Sequence, residues 1–319
     1  MTAIDQTKVK ARPKLAELFV EYEPKIRAIF ERITGENGLT GEKEIRLEFT
    51  DEDAAMLFRS VPSGRRVLAD WRGVASLWAI SQAMGRLSPA LFNARRNGAE
   101  RLDLKEGSQE ELGHHFIGYA KQLCVPQEWR WNTYFPKPDR EAASEGARTG
   151  DIFFFRSIEW ILRHEVGHIA LGHSDSAWTA EQSRAEERDA DLYGTRGAKG
   201  DLRADAGRAP GAAPSAAELE LERRALSAGI GLIWVAVFEN TRTQSTDLYP
   251  AIADRMFRCL GEFGLAPDSA ASEILSDFIK AWLDPERAWP ARSVEEATAQ
   301  AAMDEACSRL DEYARNVRG

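Results

Sequence analysis

Along residues 14–33, KLAELFVEYEPKIRAIFERI, apolar side chains recur at the spacing of a helix with one buried stripe, and Pro24 marks where that helix must kink or break. After the turn-rich TGENGLTGEK the period shortens to two in EIRLEF, residues 44–49, which predicts a half-buried strand. Helical spacing returns over 66–95. RLDL at 101–104 then reads as a short strand, 108–123 as a helix, and the aromatic EWRWNTYF at 128–135 as another strand. From IFFFRSIEWILRHEVGHIALGH onward almost every stretch carries helical periodicity. The exception is residues 195–218, whose Gly, Ala, Pro and charged content predicts a mobile surface loop and a candidate lid.

The polar stretch PKPDREAASEGARTGD suits a boundary, and the expected architecture is α+β. A mixed α/β N-terminal subdomain, 1–149, would bind substrate or partner, and a mainly helical subdomain, 150–319, would carry the chemistry. No internal repeat is present.

Composition narrows the function by exclusion. A formal charge of -9 and a pI near 5.3 argue against non-specific binding to nucleic acid or anionic lipid. Cys124, Cys259 and Cys307 stand far apart in no metal or redox spacing, so a reducing, cytoplasmic setting is expected. The N-terminus lacks the apolar run of a secretory signal. The longest uncharged apolar run, ALSAGIGLIWVAVF at 225–238, is shorter than the roughly 20 residues of a spanning helix and predicts a buried core helix.

The chemistry lies in WILRHEVGHIALGHSDS, which holds three of the chain's five histidines. His164, Glu165 and His168 form H-E-x-x-H inside an apolar helix pattern. Residues four apart share a helix face, so the two imidazoles can converge on one ion, while Glu165 points beside it, where a general base for an activated water must stand. Chance alone would produce this pattern in roughly one chain in a hundred of this composition. A hydrolytic zinc usually has three protein ligands. His173 is an evident candidate, but Gly172 and His173 each stand one position off the metzincin pattern HExxHxxGxxH, and LGH reads better as a helix C-terminus. The stronger third ligand is in AEERDADLYG. There Glu187 and Asp191 fit E-x-x-A-D on a second helix, Ala190 permits close packing, and Asp191 can fix the tautomer of a ligand His. Glu186 is the alternative in another register.

Hydrolysis of an amide also needs a donor for the tetrahedral oxyanion. After the apolar helix comes DLYPAIADRMFRCL, which resembles the HPP…ER segment of the CAAX-processing and related housekeeping gluzincins, with Pro250, Asp254 and Arg255 matching and Tyr249 where those families carry His. Over residues 150–260, HEVGHIALGH, ERDADLYG and YPAIADR together resemble a gluzincin metallopeptidase without membrane helices, most similar to the phage-exclusion (Lit-like) peptidases. That resemblance implies one Zn2+ held by His164, His168 and Glu187, with Asp191 behind a ligand and Glu165 as base. It also implies Tyr249 or Arg255 at the oxyanion, and cleavage of a host protein such as a translation factor after an activating signal. A regulatory protease of the ImmA/IrrE type, acting on a repressor, is the alternative, although those usually read E-x-x-A-N. A non-catalytic, zinc-stabilised binding module is another, and an edge strand of the N-terminal portion is expected to pair with an extended substrate.

Overall fold

The computed structural model describes residues 14–51, 56–97, 102, 104–125, 131–139, 141, 144–175, 179–203, 214–239, 250–266, 268–283 and 298–318. The first apolar stripe forms two helices, α1 (Leu15–Leu18) and α2 (Glu23–Glu36), with Pro24 in the first turn of the second. Leu15, Phe19, Tyr22, Ile26, Phe30 and Ile33 are nevertheless all buried, so the chain breaks without losing its stripe.

A three-stranded sheet follows, β1 (Arg46–Thr50), β2 (Phe58–Val61) and β3 (Arg66–Asp70), in the order β1-β3-β2. β3 is central, parallel to β1 and antiparallel to β2, which leaves β2 as an edge. The alternation at 44–49 marked β1 correctly. Residues 66–70, read from the sequence as the start of a helix, belong instead to β3. Asp70 ends that strand and accepts a 2.8 Å hydrogen bond from the Arg72 main-chain N–H, so α3 (Trp71–Arg96) begins at the next residue. Of the other expected strands, Leu102 and Leu104 carry no strand. Trp131–Phe135 is a turn closed by the Trp131 Nε1–H donating to the Phe135 carbonyl at 3.1 Å. Residues 101, 103 and 126–130 lie outside the described residues.

α4 (Gln109–Leu123) packs on α3, and α3 crosses α5 (Glu145–Ala170) at minimal distance. A Cβ on Gly85 would meet the Gly146 carbonyl oxygen and the Gly150 nitrogen, each at 2.4 Å, so only glycine fits that crossing. The expected boundary between 149 and 150 falls inside α5, and residues on both sides of it share one apolar core. At the same crossing Asp151 accepts from the Tyr22 hydroxyl at 2.8 Å, Trp78 Nε1–H at 2.9 Å and Gln82 Nε2–H at 2.8 Å.

α5 is the central helix. From Ser157 to Gly167 only Glu159 is more than slightly exposed, because α2, α3, β2, α6 (Ala180–Lys199) and α7 (Ala216–Glu239) surround it. α6 continues through Lys199 and α7 starts at Ala216, so the expected loop at 195–218 is shorter at both ends, and residues 204–213 lie outside the described residues. Thr195 is fully buried and accepts from Trp160 Nε1–H at 3.0 Å, a helix-packing position its neighbours' Gly and Arg content concealed. The run 225–238 is a buried core helix, as expected, and among the described residues no helix is long and apolar enough to cross a membrane. α8 (Ile252–Phe263) packs on α6 and α7, and α9 (Ala270–Leu283) pairs with α10 (Ala299–Arg318). The three cysteines are buried and unpaired.

Candidate metal centre

The last two turns of α5 carry the H-E-x-x-H residues, and α6 crosses them from the outside. Ala190 is fully buried there, and a Cβ on Gly194 would stand 3.1 Å from the His164 nitrogen and 3.3 Å from the Trp160 carbonyl oxygen. The two small residues let α6 bring a carboxylate beside the imidazoles. His164 Nε2 and His168 Nε2 lie 3.2 Å apart, Glu187 Oε2 is 3.5 Å from the former, and Glu187 Oε1 is 3.7 Å from the latter. Tetrahedral nitrogen and oxygen ligands at 2.0–2.1 Å from an ion stand about 3.3 Å from one another, so this donor set could hold a metal ion.

The electrostatics agree with the geometry. Four carboxylates, Glu165, Glu187, Asp191 and Glu239, gather around a single guanidinium, Arg255. Burial raises the Glu187 carboxyl, and it pushes the Glu165 carboxyl up to about 7, helped by the charge of Glu187. Burial would lower His164, yet Asp191, Glu187 and Glu165 outweigh it and raise the imidazole. Arg255 alone does not balance these carboxylates, and a divalent ion would supply further positive charge.

His164 has a carboxylate behind it. His164 Nδ1 lies 3.0 Å from Asp191 Oδ1. Although burial opposes it, Arg255 and His164 hold Asp191 down at about 2. Arg255 reaches Asp191 Oδ2 through Nε and Oδ1 through Nη2, both at 2.8 Å, and Glu239 Oε1 through Nη1 at 3.3 Å. Three of its five N–H groups are thus engaged by carboxylates. Glu239, the last residue of α7, has no motif in the sequence. The one available signal was an acid ending an apolar helix, which when buried requires a cation.

Glu165 is buried beside the imidazoles and lines a cleft of about 280 Å3. Its carboxylate accepts from the main-chain N–H of Ser60 in β2. The main-chain N–H of Asp70 donates to the Leu57 carbonyl at 2.8 Å, and the β2–β3 register follows from that pair, so the main-chain groups of Phe58 and Ser60 turn away from β3 toward the cleft. Phe58, Trp234 and Phe238 form an apolar wall, Trp234 stacked on Phe238 with centroids 5.8 Å apart.

Of the other expected residues, Glu186 accepts from Gln182 Nε2–H at 3.0 Å and stands outside the cluster, and Asp254 pairs at the surface with Arg188 and Arg258. Tyr249 lies outside the described residues, while Pro250 is buried. His173 follows the C-terminus of α5. Gly172, at φ 74°, donates to the Ile169 carbonyl at 3.3 Å, and the His173 N–H donates to the His168 carbonyl at 2.9 Å, a Schellman closure. Its Nδ1 faces Nδ1 of His168 at 2.9 Å, on the side of that ring opposite Nε2.

The fold and the cluster together define an α+β chain with an H-E-x-x-H helix braced by a carboxylate helix, and residues 67–275 match the model of one family: the chain belongs to the Peptidase U49 family. It is 30% identical over 134 residues to the cell death peptidase of Escherichia coli (strain K12), a match that spans 40% of this chain and 44% of that relative. These matches bear out the resemblance to the phage-exclusion (Lit-like) peptidases, and the family match begins at β3, well before the 150–260 stretch that carries the motifs. No solved structure matches the chain.

Proposed function

We propose that the chain is a zinc-dependent endopeptidase that cleaves a cytosolic protein, acting in phage exclusion or a related stress response. The observation that carries this reading is the convergence of His164 Nε2, His168 Nε2 and Glu187 within one ion's reach, with Glu165 buried beside them on an open cleft. A bound zinc ion would supply Lewis acidity, activating a water and polarising the scissile carbonyl.

The chain's own residues do the rest. His164, His168 and Glu187 hold the ion, and Asp191 orients His164. Glu165, buried beside the imidazoles on the cleft, takes the proton of the attacking water and passes it to the leaving amine. Arg255 gives three of its five N–H groups to Asp191 and Glu239 and so holds the carboxylates in place, while Tyr249 or a remaining N–H of Arg255 serves as the oxyanion donor. An extended substrate pairs with the outward face of β2, the edge strand beside Glu165. A protein substrate also suits the charge of -9, which disfavours nucleic acid.

The test is to incubate wild type and Glu165→Gln with a bacterial lysate and map new protein N-termini by mass spectrometry. Wild type is expected to create a discrete set. Glu165→Gln is expected to bind as much zinc yet cleave about 10²–10⁴-fold more slowly. Equal cleavage by Glu165→Gln, or none by wild type, would overturn the reading.

A further inference from the structure

We propose that His173 is a positioning residue for His168, an inference that rests on the metal-site reading above. His168 turns Nε2 toward His164 and Glu187 and presents Nδ1 to Nδ1 of His173 at 2.9 Å. Two nitrogen lone pairs cannot face each other at that distance, so one nitrogen carries the hydrogen. If it belonged to His173, a neutral His168 would hold its own proton on Nε2, the atom that faces His164 Nε2 at 3.2 Å, and could not ligate. Ligation therefore requires His168 to donate through Nδ1–H and His173 to accept.

Ligand histidines ordinarily donate the second ring N–H to a carboxylate, a main-chain carbonyl or water, which sets tautomer, orientation and basicity. Behind His164 stands a carboxylate, Asp191 Oδ1 at 3.0 Å from Nδ1, whereas His168 faces an imidazole. The chain positions that imidazole through its main chain. The Schellman closure at Gly172 ties the His173 N–H to the His168 carbonyl at 2.9 Å, so the residue that caps the helix also places its ring behind the ligand one turn back. This explains why Gly172 and His173 miss the metzincin spacing by one position: the turn returns the imidazole to the back of His168 and not to the ion.

The test measures zinc affinity of the metal-stripped full chain by competition with a chromophoric chelator, in wild type, His173→Ala and His173→Asn. The Co2+ absorption spectrum and thermal unfolding of the metal-free forms accompany it. His173→Ala is expected to weaken binding by about 10–100-fold. His173→Asn, whose Oδ1 can accept the same hydrogen bond, should recover most of it. The Co2+ spectrum should keep its coordination pattern, and metal-free stability should not change, because the cap is made by main-chain atoms. Wild-type affinity in His173→Ala overturns the role of His173 alone. A changed Co2+ coordination number, or no uptake at saturating metal, overturns it by making His173 a ligand. Equal loss of metal-free stability in both variants overturns it by making the role one of folding. If wild type binds no metal, the metal-site reading itself fails and the inference fails with it.

Discussion

Arg255 of α8 holds Asp191 of α6 by two 2.8 Å hydrogen bonds, and both residues are almost wholly buried. Through Asp191, 3.0 Å from His164 Nδ1, the contact extends to α5, so three helices meet at one charged node. Removing one partner of such a pair leaves an uncompensated buried charge.

Arg255→Ala is accordingly expected to cost about 3–5 kcal/mol in denaturant unfolding. The pH dependence has a definite sign. Asp191 is held at about 2, below its ordinary 3.8, so it contributes stability above the ordinary value and loses it as pH falls through about 2. The difference between wild type and Arg255→Ala should be full at neutral pH and shrink on acidification. A difference that grows toward low pH would contradict the assignment.

Gly194 sets the distance between α5 and α6. An alanine there presses main-chain atoms of His164 and Trp160 at 3.1–3.4 Å, and main chain cannot step aside as a side chain can. Gly194→Val is expected to destabilise by about 1–3 kcal/mol. It should also weaken metal uptake severalfold, because it moves Glu187 relative to the imidazoles without replacing a ligand. Unchanged chelator competition would show that α6 does not set the site.

Asp151 satisfies three buried donors, from Tyr22, Trp78 and Gln82. Asp151→Ala strands them and should cost at least about 3 kcal/mol, at about 1–3 kcal/mol for each unsatisfied group. Asp151→Asn keeps the shape and an acceptor for two of the three, and the Tyr22 hydroxyl can turn to accept from the amide, so its loss should be much smaller. Equal midpoints for the two variants in a denaturant titration would refute this.

Ser60 tests how β2 supports the base. Its N–H faces the cleft and Glu165 rather than β3, so proline is tolerated by the sheet at this edge position. Ser60→Pro is expected to fold and bind metal like wild type, but to cleave at least about tenfold more slowly, having lost the main-chain N–H that anchors the base. Full activity would remove Ser60 as an anchor of Glu165.

The candidate metal cluster was legible in the sequence because it is local. His164 and His168 are four positions apart, as are Glu187 and Asp191, so helix geometry alone puts each pair on one face. The apolar run at 225–238 was legible for the same reason. What escaped was set by tertiary contacts. β2 and β3 are four and five residues long, and β3 runs into α3 without a turn because the Asp70 side chain caps the helix directly. Nothing local distinguishes Glu239 from a surface acid until α8 brings Arg255 to it. Arg255 itself was legible as a site residue, but its partners, and with them its part in the cluster, depend on how α6, α7 and α8 meet.

The most direct measurement is zinc per chain by elemental analysis of wild type, Glu187→Ala and Glu186→Ala, purified without added metal. Near one zinc per chain is expected in wild type and in Glu186→Ala, with its loss in Glu187→Ala. Zinc retained by Glu187→Ala, or absent from wild type, would contradict the metal-site reading.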